Sequence, residues 1–315
     1  MPITQINHPL PPGFQLDQYR IERQISLGGF SIVYLAHDAD GTPVAIKEYL
    51  PNTLALRGEN SIVPHIKEEH LSAFNHGLKC FFEEGRSLAK LNHPNVVRVL
   101  NFFRANSTVY MVMQYERGRT LREHVMKHRG NISEKFIRVV FSRLLNGLRE
   151  VHAQRFLHLD IKPSNIYLRM DGNPVLLDFG AARQALENDS PALRPTYTPG
   201  FAAPEQYEAQ DQLGPWTDIY GIGATMYACL FHASPQAANL RLKNDALVPA
   251  VQRWQGKYSQ QLLETIDWCM QLDYLERPMS VFALQKSLAE SPESEEARDS
   301  WLTTLNRRLR ERVRR

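Results

Sequence analysis

A chain of 315 residues, 43% hydrophobic and 23% charged, has the length for one large domain or two lobes and the composition of an ordinary soluble globular protein. Its net charge of +3 gives no ground for nucleic acid as a partner. Residues 1–17 have neither the basic flank nor the apolar stretch of a signal peptide, and the longest apolar run, Ile222 to Phe231, is about half of what a bilayer needs, so no transmembrane segment is expected. Cys80, Cys229 and Cys269 are widely spaced, without metal-ligand partners, and read as reduced thiols of a cytoplasmic protein.

Pro9, Pro11, Pro12 and Gly13 mark a structureless, extended lead-in over residues 1–18. From Tyr19 to Glu48, β-branched and aromatic residues alternate around turns at Gly28-Gly29 and Asp40-Gly41, which predicts strands. Ser72 to Leu91 places Phe74, Leu78, Phe81, Phe82, Leu88 and Leu91 at helical spacing. Strand-like runs return at Val96 to Arg104 and Thr108 to Gln114. Beyond Gly118 the pattern turns helical, over Leu121–Lys127, Glu134–Arg155, Thr217–Phe231, Gln260–Leu272 and Ser280–Ala289. Strands with one major helix first and helices later predict an α+β chain in two lobes, residues 19–115 and 116–288, joined near Tyr115 to Gly118. Residues 289–315 read as an acidic linker followed by a basic helix, in which Trp301, Leu302, Leu305 and Leu309 form a narrow apolar stripe beside Arg307, Arg308, Arg310, Arg312, Arg314 and Arg315. Such a run is usually a solvated helix end; the sharper reading is docking on an acidic partner or an anionic membrane surface.

The most informative stretch is His158-Leu159-Asp160-Ile161-Lys162-Pro163-Ser164-Asn165, followed by Asp178-Phe179-Gly180. A carboxylate, an amide five residues on, and a second carboxylate in a turn are spaced so that one loop can hold a hydroxyl nucleophile while two oxygen ligands grip magnesium on a nucleotide. On this reading Asp160 orients and deprotonates the acceptor, and Asn165 and Asp178 ligate the metal. Asp-Phe-Gly alone is only a turn-prone tripeptide; the ordered pair carries the argument.

On these residues the chain resembles the eukaryotic-type serine/threonine protein kinases, in wording their bacterial members, from about Tyr19 to about Leu288. The resemblance implies a bilobal protein-kinase fold, ATP with Mg2+ (or Mn2+) as cofactors, and transfer of the γ-phosphoryl group to Ser/Thr hydroxyls of protein substrates and of the chain itself. It makes Ile25, Ser26, Leu27, Gly28, Gly29, Phe30, Ser31 and Val33 the phosphate loop and its flank. Of that loop's usual glycines only Gly28 is kept, with Ser26 and Ser31 at the outer positions; taken alone, the segment is a glycine-containing hairpin. Lys47, in the apolar run Val44-Ala45-Ile46-Lys47, is costly to bury without an anion. It becomes the residue that grips the α- and β-phosphates and pairs with Glu84, whose rival Glu83 is otherwise half of a solvated helix face. Val33, Ala45, Met113 and Tyr167 would enclose adenine, with backbone groups of Gln114 and Glu116 bonding its edge. The 50–71 insert resembles one in a bacterial subgroup that reads Lys47-Glu48-Tyr49-Leu50-Pro51, and no task follows for it from sequence.

By the same resemblance Lys162 neutralises the transferring group and marks serine/threonine specificity. Thr198 bonds Asp160 and Lys162, Glu205 pairs with Arg277 to anchor the peptide platform, and Asp218 accepts amide hydrogens from the catalytic loop; without it, Asp218 is a residue of a helix's first turn. Leu159 stands where most such kinases carry the arginine that receives an activating phosphate, so activity independent of that phosphate is expected. The alternatives are a pseudokinase scaffold, which usually lacks the lysine or an aspartate, and a small-molecule kinase, which lacks the Ala203-Pro204-Glu205 platform.

Overall fold

The computed structural model describes residues 7–179, 198–208 and 210–289. Gly180, Thr196, Tyr197 and the basic tail lie outside the described residues.

Antiparallel strands β1 (Gln15–Leu16), β2 (Tyr19–Leu27), β3 (Ser31–His37), β4 (Pro43–Tyr49), β7 (Val99–Ala105) and β8 (Thr108–Gln114) form one sheet in the order β1-β2-β3-β4-β8-β7, and the insert contributes a small hairpin of β5 (Ala55–Leu56) and β6 (His65–Ile66). Helix α1 (Leu71–Leu88) packs on β7 and β8 with Phe74, Leu78, Phe81 and Leu88 buried along one stripe. Phe82 meets Phe102 edge-on, their centroids 4.7 Å apart. The register sets Lys47 opposite both Val33 and Met111, and Ala45 opposite Met113, so the expected phosphate-gripping and adenine-facing residues stand side by side.

The chain leaves this lobe through β9 (Gly118–Thr120), which pairs with β10 (Ile166–Arg169) and through it with β11 (Pro174–Leu176). At Gly118 an added Cβ would strike the carbonyl of Leu168, so only glycine allows that approach. Thr120 then opens α2 (Leu121–Lys127) with a capping box shared with Glu123, and Ser133 caps α3 (Glu134–Ala153).

The second lobe continues with α4 (Pro204–Glu208), α5 (Pro215–Phe231), α6 (Ala238–Arg241), α7 (Ala250–Arg253), α8 (Gln260–Cys269) and α9 (Val281–Ala289). Its core gathers around α5, which is buried from Thr217 to Leu230. A helix apolar on all sides belongs inside, with α3 and α8 packed against it and α9 packed on those two.

The lead-in differs from expectation. Leu10 and Leu16 are each 1% exposed, β1 pairs with β2, and Gly13 N–H donates to the Ile21 carbonyl. Prolines forbid a helix or a central strand here but do not forbid packing; a buried leucine contributes about 1.5–3 kcal/mol. From Asn7 onward the segment is part of the first lobe. The small β9-β10-β11 sheet was likewise not expected.

Candidate active site

Asp218 organises the loop that precedes β10. It sits in the first turn of α5, 1% exposed, and accepts the amide hydrogens of His158 (2.9 Å) and Leu159 (2.7 Å) and a bond from His152 Nε2 (2.8 Å). Burial by itself raises its pKa, but the bond and charge of His152, with His158, outweigh that and hold the carboxyl below its ordinary value. These bonds support Leu159 at φ +63°, a left-handed conformation that a leucine rarely adopts.

His158 is fully buried, and burial lowers its pKa. The Leu177 carbonyl, 2.7 Å from Nε2, can only accept, and the Asp160 amide, 3.3 Å from Nδ1, donates, so the ring is neutral with its hydrogen on Nε2. Its face lies against Phe179 at 4.5 Å. Asp178, beside that phenylalanine, also has a positive φ, +47°.

The Asp160 carboxylate is clasped from three directions. Lys162 Nζ donates to both oxygens at 2.9 and 2.8 Å, Thr198 Oγ1 donates to Oδ1 at 3.1 Å, and Asn165 Nδ2 donates to Oδ2 at 2.9 Å. Lys162 also donates to Thr198 Oγ1 at 2.7 Å, and Asn165 to the Asp160 carbonyl at 3.0 Å. Asp160 is thereby fixed in orientation and kept as an acceptor.

Across the cleft, Lys47 Nζ stands 3.1 Å from Asp178 Oδ1 and 5.6 Å from the centre of the Phe81 ring. Lys47, Glu84, Asp160, Asp178 and Phe179 line one space with Phe30, Ser31, Tyr49 and Phe81. Glu84 is buried and Glu83 exposed, which separates the rivals that sequence left side by side. Among the described residues no cluster of three or more His, Cys, Asp or Glu side chains could hold a metal alone. Asp178 and Asn165 offer one carboxylate and one amide oxygen, a donor set suited to magnesium whose remaining ligands are water and phosphate.

Of the residues expected to enclose adenine, Ala45 and Met113 are buried and Val33 and Tyr167 half-buried, Tyr167 packing against the first lobe's core from β10. Ile25 and Leu27 are exposed on the flank of the loop. The Gln114 N–H is committed to the Arg98 carbonyl at 2.9 Å, so a bond from Gln114 to a base would have to use its carbonyl. The Glu116 carboxylate holds Arg169 of β10 in a bidentate pair at 2.7 and 2.6 Å, tying the joining segment to the second lobe.

On the opposite side of the loop, Glu205 and Arg277 form a buried bidentate pair at 2.8 and 3.1 Å. Thr217 Oγ1 donates to Glu205 at 2.8 Å, and Arg277 also donates to the carbonyls of Gln271 and Leu272. Sequence reasoning missed Gln206. Its side-chain Oε1 accepts from the Ala203 amide at 3.0 Å and its Nε2 donates to the Leu159 carbonyl at 3.0 Å, binding the start of α4 to the loop that precedes β10. Only the motif next to Gln206, not its own residue type, hinted at such a place. Beside Lys162 and Thr198 lies a pocket of about 480 Å3 lined by these two and by Arg122, Val125, Met126, Phe201 and His232, among others.

Residues 19–289 match the family model described as the protein kinase domain. CBL-interacting protein kinase 19 of Oryza sativa subsp. japonica is 31% identical over 221 residues, 69% of this chain and 40% of that protein. Serine/threonine-protein kinase ATG1c of Arabidopsis thaliana is 27% identical over 82% of this chain and 33% of its own length; the chain thus spans less than half of these relatives. Among solved structures, PpkA-294 in its apo form superposes with a TM-score of 0.82 at 35% identity, covering 89% of this chain and 99% of that one. The kinase domain of Mycobacterium tuberculosis PknI, at 17% identity and a TM-score of 0.66 over 89% of this chain and 98% of that one, shares the fold. The chain belongs to the protein kinase domain family and is of the eukaryotic type found in bacteria.

Proposed function

We propose that this protein is an active serine/threonine protein kinase, taking the γ-phosphoryl group from ATP in the presence of Mg2+ and passing it to hydroxyls of protein substrates and of itself. The observation that carries this reading is the Asp160 carboxylate held by Lys162, Thr198 and Asn165 on the same cleft as the Lys47–Asp178 pair. Bound nucleotide and metal would supply the transferable group and neutralise its charge. Asp160 supplies an acceptor oriented for a hydroxyl hydrogen, which is general-base work. Lys162, bonded to that carboxylate, puts a positive charge beside the acceptor position, where electrostatic stabilisation does most of the catalytic work. Lys47 stands to receive phosphate oxygens, and Asp178 and Asn165 to hold the metal. A free carboxylate cage without Lys47 would suit a scaffold; here the whole set is present together.

The pocket beside Thr198 and Lys162 supports a polypeptide acceptor, because it offers apolar lining within reach of the acceptor position. Cys80, Cys229 and Cys269 are free thiols, in keeping with a reducing cytoplasmic setting, and no helix among the described residues is long and apolar enough to cross a membrane. Purified protein given Mg2+, labelled ATP and a generic basic protein is expected to label the acceptor and itself. Asp160→Asn, which cannot take the proton, is expected to lower transfer at least about a hundredfold with ATP binding intact. Equal label from that variant would refute the reading, and ATP binding without transfer by the wild-type chain would favour a scaffold.

A further inference from the structure

The phosphate loop of this chain is held from outside. Its turn closes on itself through Gly28 N–H donating to the Ser31 carbonyl at 2.9 Å. The first residues of the insert then grip its far edge: Leu50 N–H donates to the Phe30 carbonyl and Asn52 N–H to the Gly29 carbonyl, each at 2.9 Å. The Asn52 side chain lies alongside Gly29, within 4.0 Å of where a Cβ would stand.

The gripping segment is itself locked. Asn7 donates from Nδ2 to the carbonyls of Leu50 (3.3 Å) and Ala55 (3.1 Å), closing the insert's first turn, and its Oδ1 accepts from Arg57 N–H at 2.6 Å. The Arg57 guanidinium, fully buried, pairs with both oxygens of Glu48 at 2.6 and 2.7 Å and donates to the His8 carbonyl at 2.7 Å. Tyr34 and Tyr110 hydroxyls donate to the same carboxylate at 2.7 and 2.8 Å. Burial of Arg57 disfavours its charge, and the Glu48 bond and charge more than restore it, so the pair is satisfied although dry. Glu48 neighbours Lys47 in β4, so one strand carries the expected phosphate-gripping lysine and the anchor of the lock.

We propose that residues 50–57, locked by Asn7 and Arg57, form a clamp that fixes the Gly28–Phe30 turn over the nucleotide cleft, with Asn7, Asn52 and Arg57 as positioning residues for ATP. The proposal rests on the reading that the cleft binds ATP. It gives the insert a task and explains how the loop can keep serines at positions 26 and 31: amides already fixed in place lose less freedom on meeting phosphate.

The test uses the full chain and two substitutions. Asn52→Pro removes the N–H that bonds Gly29, and Asn7→Leu keeps the side chain's size while removing all three of its bonds. Folding is checked by circular dichroism, and KM for ATP, KM for a peptide acceptor, kcat and amide hydrogen exchange over residues 27–31 are measured. Asn52→Pro is expected to raise KM for ATP about fivefold, as the loss of one net hydrogen bond would, and Asn7→Leu at least as much; both are expected to speed exchange in the turn, while kcat and the peptide KM stay as in wild type. A general loosening of the fold would move both KM values together and would overturn the clamp. So would a folded Asn52→Pro that binds ATP as wild type does, or more tightly. Failure of the wild-type chain itself to bind ATP would instead bring down the nucleotide reading, and the positioning role with it.

Discussion

One hydroxyl bridges the proposed base, Asp160, and the cation that also bonds it directly, Lys162. Thr198 Oγ1 accepts from Lys162 and donates to Asp160, so, with the direct Lys162 and Asn165 bonds, it helps to set the spacing of the groups that would face the acceptor hydroxyl. Removing it leaves both charges present but releases their geometry, and a misplacement of about 1 Å is enough to cost on the order of a hundredfold in rate. Thr198→Val is therefore expected to lower kcat by about that factor with ATP affinity unchanged, while Thr198→Ser keeps most of the rate. Comparable loss in both variants would assign the threonine a packing role instead. At this scale sequence was informative wherever chemistry dictates a rare residue at a fixed spacing, as at Asp160, Asn165 and Asp178. It was silent on Asn7, Arg57 and Gln206, whose residue types are ordinary and whose roles depend on carbonyls distant in the chain.

Among elements, the long ones were legible because their burial is periodic: α1, α3 and α5 occupy close to the spans that their apolar residues predict. The short strands β9, β10 and β11 were not, since three or four residues carry too little alternation to stand out. The platform helix α4 is anchored less by its own length than by Glu205–Arg277, with Arg277 stacked over Tyr220 at 4.9 Å. Arg277→Ala would leave Glu205, 4% exposed, without its partner, a change expected to destabilise the fold by about 3–5 kcal/mol and to appear as a lower thermal midpoint. Arg277→Lys should recover little, because a lysine cannot span both carboxylate oxygens and two carbonyls at once. A midpoint equal to wild type in either variant would show that the pair is dispensable.

For the molecule as a whole, the lobes are joined by polar bonds at the connecting segment and by the first lobe's core, which takes in Val151, Val175 and Phe179 of the second, and its response to pH follows from one buried and three half-buried histidines. Burial holds His93, His124, His158 and His232 below their ordinary pKa, His124 down to about 4 with help from the neighbouring His128, Arg119 and Lys127. Unfolded, each would take a proton near the ordinary value of 6.5. Between there and the folded value the unfolded chain binds more protons, so stability falls as pH falls. The thermal midpoint should drop from pH 7 to pH 5, and less steeply in His124→Phe; a profile flat or rising over that range would contradict the burial. Regulation also belongs at this scale. Where the family usually links catalytic loop and activation segment through arginine and phosphate, Leu159 offers its carbonyl to Gln206 and its amide to Asp218. Both are buried, made within the second lobe and independent of any added charge. Thr196→Ala and Tyr197→Ala are thus expected to phosphorylate substrate at the wild-type rate, whereas Gln206→Leu, which removes the bond to the loop, should slow it by about fivefold, the worth of one net hydrogen bond. Rates measured with chain expressed and purified without phosphate would decide the matter: full loss at Thr196 or Tyr197 in a folded protein, with Gln206→Leu unaffected, would mean that a phosphate, not the glutamine, holds the loop.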